Sequence, residues 1–336
     1  MVLLAHFIPE SSRLHIPYMF YGVDLFFTIS GFLITTILLK YRFEGNMNQS
    51  TILKNFYIRR VLRLFPIYYL FVLFFFLAKH FANLYMWKDG YNFYFFTYFQ
   101  NLYFFKQGSF NSMFSHLWSL GVEEQFYMIW PFLILFLPRK ALPYLLVIII
   151  SFSIAVNSIC ASVPMIRSLT FSNFHTLGIG ALFAYFHVLK PDNTGFSKII
   201  QHRTVLASIL LIIMIFVLIN SNHLGSFAPL IIETTLSLTT AAFVISSTYG
   251  WQGIISYLTR TKGLMYIGKI SYGIYLYHLP LPAFTRIIYQ KVTGSELLIH
   301  STAINFLFYT TLTIVLAHLS FKFVERPILA FKSRFE

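Results

Sequence analysis

A chain of 336 residues in which 57% of the side chains are hydrophobic and 11% charged, with a mean hydropathy of +0.68, is not a soluble domain. A globular protein carries roughly 25% charged residues to cover its surface, so the solvent for most of this chain is lipid. The net charge of +14 does not make nucleic acid a partner, because the basic residues lie between apolar runs and not in one patch. That spread fits anionic lipid headgroups instead. Cys160 is the only cysteine, which excludes an intramolecular disulfide and a thiolate metal site, and no metal is expected.

Taken in chain order, the first apolar piece is Val2 to Ile8, too short for a secretory signal and ending before Pro9 and Glu10. At 1.5 Å per residue it rises roughly 10 Å, a third of the hydrocarbon thickness. It reads as the stump of a span, and His6 lies near its outer end beside Phe7. The reading frame is therefore expected to continue upstream by roughly 10 to 15 apolar residues, enough for the missing rise.

A run over 18–40 follows, with Asp24 near its outer end and Ser30, Gly31 and Thr35 deeper within it. Small residues let helices approach closely, which is the packing role open to Ser30 and Gly31. Asp24 is either a helix cap or a site residue. Next, FYIRRVLRLFPIYY sets Arg59, Arg60 and Arg63 at the cytoplasmic mouth of a span over 62–80, with Pro66 just inside. Arginine favours planar bidentate contacts with anions. The cluster either clamps phosphates of a coenzyme or lipid-linked sugar, or anchors the chain to headgroups.

The segment 91–105 is rich in Tyr and Phe but holds Asn92, Gln100 and Asn101, so an interfacial or re-entrant element is expected there. A span over 117–137 begins HLWSLGVEEQFYMIW, where His116, Ser119, Glu123, Tyr127 and Trp130 recur at three- and four-residue steps on one face. Ionisable groups within a span cost about 2.5–3.5 kcal/mol and need a partner, a cavity or a function. Glu123 is assigned to the bundle interior and Glu124 toward an interface. An interior Glu123 can orient an imidazole, take a proton from an attacking hydroxyl, or form a helix–helix salt bridge.

Further spans run over 141–160, 171–189, 204–220, 227–248, 264–284 and 303–323, with His278 in ISYGIYLYHLP near the outer end of the 264–284 run. With both termini cytoplasmic, the outer side keeps seven basic residues (Arg13, Lys79, Lys88, Lys106, Arg167, Arg286 and Lys291), leaving 18 of the 25 inside. The expected fold is an all-α, polytopic transmembrane bundle of about ten spans, forming one domain over 1–336. His6 and Glu123, both ionisable groups in apolar helices, are expected to share one cavity.

The runs GVDLFFTISGFLIT, FYIRRVLRLFPIYY, HLWSLGVEEQFYMIWP, ISYGIYLYHLP and FVERPI, in this order and spacing, resemble the acyltransferase-3 family of membrane acyltransferases. The resemblance covers essentially the whole chain. It implies an O-acyltransferase of the bacterial inner membrane that moves an acyl group, commonly acetyl, from cytoplasmic acyl-CoA to a hydroxyl of an envelope polysaccharide, a lipid-linked sugar or a related glycolipid. The family's first-helix histidine falls on His6, its basic loop on Arg59, Arg60 and Arg63, and its acidic helix on Ser119 and Glu123. Asp24, Ser30, His116, Tyr127 and His278 are expected to line the substrate site. The family's arginine about ten residues before the histidine has no counterpart in the given sequence, because Met1 is only five residues upstream of His6. It is expected in the missing upstream stretch.

Two other classes meet specific objections. A transporter predicts inverted repeats and matched broken helices, and the sequence shows neither. A structural subunit gives Glu123 and His6 no reason to bear their membrane cost.

Overall fold

In the computed structural model every described element is helical, as the apolar runs require. The described residues are 2–8, 12, 21–82, 86–88, 90–110, 112–189, 203–219, 223, 225–248, 256–257, 259–295 and 301–331. The helices are α1 (Val2–Phe7), α2 (Gly22–Phe43), α3 (Gln49–Ala82), α4 (Tyr91–Phe96), α5 (Gln100–Gln107), α6 (Trp118–Phe136), α7 (Leu142–Ile159), α8 (Phe174–Leu189), α9 (Arg203–Ile219), α10 (Ala228–Thr248), α11 (Lys262–Tyr277), α12 (Pro280–Thr293), α13 (Thr302–Ser320) and α14 (Arg326–Leu329).

Among the described residues, five helical stretches are long and apolar enough to cross a bilayer: 22–43, 49–81, 142–159, 228–248 and 302–329. The other expected spans form shorter or less apolar helices among the described residues, three of them for a local reason. In α6 the triplet Glu123, Glu124 and Gln125 dilutes the apolar run. Before α8, residues 170–173 wind as a tighter 3₁₀ turn, leaving 16 residues of regular helix. The run over 264–284 divides at His278 and Leu279, because Pro280 supplies no backbone donor. Both junction residues keep α-region torsions, so the division is a proline kink and not a reversal.

Helix α3 extends 34 residues and includes the arginine cluster, which the sequence had set just outside the span. At 1.5 Å per residue it measures about 51 Å, well over the hydrocarbon thickness. The segment 91–105 forms two helices of 6 and 8 residues, neither long enough to cross. Its polar residues tie it inward: Trp87 Nε1 donates to Asn92 Oδ1 (2.8 Å), and Gln100 Nε2 donates to the Leu117 carbonyl (2.8 Å). The hydroxyls of Tyr68 and Tyr69 donate to the carbonyls of Phe95 and Phe96.

Large apolar side chains such as Phe74, Ile148, Phe216 and Leu307 are exposed on the bundle exterior, as a lipid-facing surface demands. Inside, α2 is the central element and packs on α8, α10 and α6. The α2–α8 crossing is set by two glycines, because a Cβ on Gly31 would meet the Leu177 carbonyl oxygen and one on Gly180 the Thr28 carbonyl oxygen. Backbone cannot yield as a side chain can. Gly180→Val is expected to destabilise the protein by about 1–3 kcal/mol, read as a lower melting temperature in detergent. An unchanged melting temperature would show that the crossing tolerates separation.

Candidate active site

Three adjoining cavities lie along α2, bordered by α3, α6 and α11 and, in the third, also by α1 and residues 161–168. The first, about 470 Å³, is a basic vestibule walled by Lys40, Tyr41, Arg59, Arg60 and Arg63. Arg59 is tethered there, donating to the Tyr41 hydroxyl (3.0 Å) and the Asn55 carbonyl (3.2 Å). Arg60 and Arg63, three residues apart on one face of α3, line both the vestibule and the second cavity. The Arg60 guanidinium lies 4.4 Å from the Tyr127 ring centroid, a cation–π contact.

The second cavity, about 230 Å³, joins Arg60 and Arg63 to Ser30, Ser119, Glu123 and Tyr275. Residues 119, 123 and 127 fall one above another on α6, so helical spacing alone aims them together. Ser30 Oγ donates to Glu123 Oε1 (2.8 Å), and the Tyr127 hydroxyl donates to Ser30 Oγ (3.0 Å). This is a directed chain ending on a carboxylate. Ser30 therefore does more than pack, while its neighbour Gly31 has the packing role. Trp130, the next residue on that face, is absorbed structurally, its indole donating to Thr35 Oγ1 (2.8 Å).

Ser119 and Tyr275 form the far wall of this cavity, their hydroxyl oxygens 2.6 Å apart. The His116 carbonyl lies 3.2 Å from Ser119 Oγ and 2.7 Å from the Tyr275 hydroxyl, so one of the pair donates to the carbonyl and the other to its partner. Beyond them lies the third cavity, about 550 Å³, lined by His6, Asp24, His116, Trp118, Arg167 and Tyr275. The expectation of one cavity for His6 and Glu123 is corrected here: they line adjoining cavities that share Val23 and Tyr275. Glu123 is consequently bonded to Ser30 and does not orient the His6 imidazole.

The proline kink after α11 brings three histidines together. The ring of His278 lies 5.1 Å from His6 and 4.9 Å from His116, centroid to centroid. His116 Nε2 donates to the Leu276 carbonyl (3.1 Å) and His278 Nδ1 to the Tyr275 carbonyl (2.6 Å), since a carbonyl can only accept. Those bonds fix both buried rings, while His6 is exposed. Of the three, His6 is the one free to reach a ligand.

Asp24, 5% exposed in the first turn of α2, faces the field of Arg167 from the turn between α7 and α8. Arg167 is ion-paired with Glu233 of α10, and His175 Nε2 lies 3.3 Å from the other Glu233 oxygen. Neither Glu233 nor His175 stands among the residues singled out from the sequence, though both are ionisable side chains inside apolar runs. The membrane cost that exposed Glu123 applies equally to them. Tyr275, which borders two of the three cavities, carried no such signal, because tyrosine is ordinary in an aromatic-rich span.

Among the described residues the bundle is all-helical and membrane-type, and its basic vestibule adjoins a cavity with a carboxylate, which in turn adjoins one with histidines. The chain belongs to the acyltransferase-3 family: the family's acyltransferase domain matches residues 1–321. Among its relatives, the peptidoglycan O-acetyltransferase OatA of Listeria monocytogenes is 28% identical over 332 residues, covering 92% of this chain and 51% of the relative. The O-acetyltransferase OatA of Staphylococcus aureus is 27% identical over 334 residues, covering 92% and 52%. The chain thus spans about half the length of these relatives. No solved structure matches it.

Proposed function

We propose that this chain is an O-acyltransferase of the bacterial cell membrane that moves an acetyl group from a cytoplasmic acyl-CoA to a hydroxyl of an envelope glycan. It crosses the bilayer about ten times, with both termini cytoplasmic. The observation that carries the reading is the adjacency of the three cavities, with Arg60 and Arg63 lining both of the first two and Tyr275 both of the last two.

In this reading the vestibule holds the donor's phosphates through Arg59, Arg60 and Arg63, and the thioester extends into the cavity of Glu123. The acceptor hydroxyl enters from the histidine side and attacks the thioester carbonyl near Ser119 and Tyr275. A carbon–oxygen bond forms, the carbon–sulfur bond breaks, and coenzyme A leaves as the thiolate, which takes up a proton from water in the vestibule. The proton lost by the hydroxyl passes to His6, the exposed base of that cavity. Glu123, with Ser30 and Tyr127 aligned on it, governs protons on the donor side. The relatives' names, which specify O-acetylation and in one case peptidoglycan, support acetyl as the group and an envelope glycan as the acceptor.

Mass spectrometry of envelope glycans with and without the gene tests this directly. Acetyl esters present with it and lost without it are expected; identical ester content would overturn the reading. For the donor, Arg60→Gln with Arg63→Gln is expected to raise the half-saturating acyl-CoA concentration by about tenfold or more, as loss of charge-assisted phosphate contacts requires. Unchanged donor affinity in membranes would return the cluster to headgroup anchoring.

A further inference from the structure

We propose that the 550 Å³ cavity is the acceptor site, and that it selects a neutral, hydroxyl-rich sugar through an aromatic wall formed by Trp118 and Phe110 together with the polar pair Asp24 and Arg167. The assignment rests on the acyl-transfer reading above and adds the residues and the substrate class.

Its volume falls within the range of about 300–1,000 Å³ usual for small-molecule sites. The rings of Phe110 and Trp118 stack at 5.9 Å with 27° between planes, and Phe110 is left 37% exposed. Both residues line the cavity, so one side of it is aromatic and apolar. The C–H face of a pyranose fits such a surface, while its hydroxyls need donors and acceptors around the edge. Asp24 supplies an acceptor, and Arg167, held by Glu233 with a side chain 38% exposed, supplies donors.

Charge separates this site from the vestibule. Here a single guanidinium is ion-paired with Glu233 and acts electrostatically on a second carboxylate, Asp24, so no positive charge is left over for an anion. The vestibule has Lys40, Arg59, Arg60 and Arg63 and no carboxylate on its wall. An anionic donor is drawn to one end and a neutral acceptor is accommodated at the other, which keeps either substrate from occupying both sites.

The test uses the full chain in membranes, with N,N′-diacetylchitobiose as a neutral disaccharide probe and glucuronic acid as the anionic control. The disaccharide is expected to quench tryptophan fluorescence saturably, and glucuronic acid is not. Trp118→Phe should abolish most of the quenching. Arg167→Gln should weaken binding about tenfold, the scale of a lost charge-assisted contact. Because that change leaves Glu233 buried without its partner and can prevent folding, Arg167→Lys serves as the second variant, keeping the charge and losing the fork; it too should weaken binding. Equal quenching in Trp118→Phe, or tighter binding of glucuronic acid, overturns the assignment. The two readings fail separately. Sugar binding without ester formation contradicts acyl transfer and leaves the site standing. Ester formation with an unchanged acceptor KM in Trp118→Phe and Arg167→Lys contradicts the site and leaves acyl transfer standing.

Discussion

Glu123→Gln is expected to lower the rate of acetyl transfer by about 10²–10⁴-fold, the range associated with loss of a positioned acid–base group. The substitution is close to isosteric, and the amide oxygen can still accept the bond from Ser30. What it removes is the negative charge and the ability to take a proton. The competing role for Glu123 is purely structural, as a counter-charge to Arg60 and Arg63 across the second cavity. The two roles predict different readouts. A catalytic carboxylate loses rate with the melting temperature held; a structural one loses melting temperature and yield first, because Arg60 and Arg63 lose the one carboxylate they share and, among the described residues, keep only Glu124 and Glu325 respectively. Measuring both on one preparation of membranes separates them, and near-normal transfer by Glu123→Gln would remove the residue from the mechanism.

His6→Ala should be nearly as damaging, at about 10²-fold or more for the loss of a general base, but with a different signature. The imidazole of His6 is exposed on the third cavity, so its removal leaves little packing to lose and the protein should fold normally. The space it vacates should admit free imidazole, and added imidazole is expected to restore part of the rate. His278→Ala makes the contrast: that ring is fully buried and bonded to the Tyr275 carbonyl, so its loss should reduce stability and should not respond to added imidazole. Full activity in His6→Ala would assign proton removal to another group.

Much of the helical layout was legible in the sequence because lipid imposes one simple demand, that backbone polar groups be satisfied within each span. The runs over 18–40, 141–160, 227–248 and 303–323 became helices with nearly those bounds. Errors arose where local chemistry cut across hydropathy. Arg59, Arg60 and Arg63 looked like a loop beside a span, yet arginine is a good helix former and α3 runs through them without interruption. Pro280 was visible within the 264–284 run, but not that its kink would bring His278 against His6 and His116.

For the site, helical spacing was enough to group Ser119, Glu123 and Tyr127. The Ser30–Glu123 bond, the Ser119–Tyr275 pair and the adjacency of the three cavities depend on how α2, α6 and α11 cross, which no local pattern encodes. That is also why His6 and Glu123 were expected in a single cavity when the Ser119–Tyr275 wall stands between theirs.

The central claim is that an acyl group supplied at the basic vestibule reaches a hydroxyl on the histidine side. Sealed membrane vesicles of known orientation, loaded with acetyl-labelled acetyl-CoA on the cytoplasmic face and offered envelope glycan on the other, test it most directly. The account predicts labelled acetyl ester on the glycan with the unaltered chain and essentially none with Glu123→Gln. Glycan that stays unlabelled while the unaltered chain is folded and supplied with donor would contradict it.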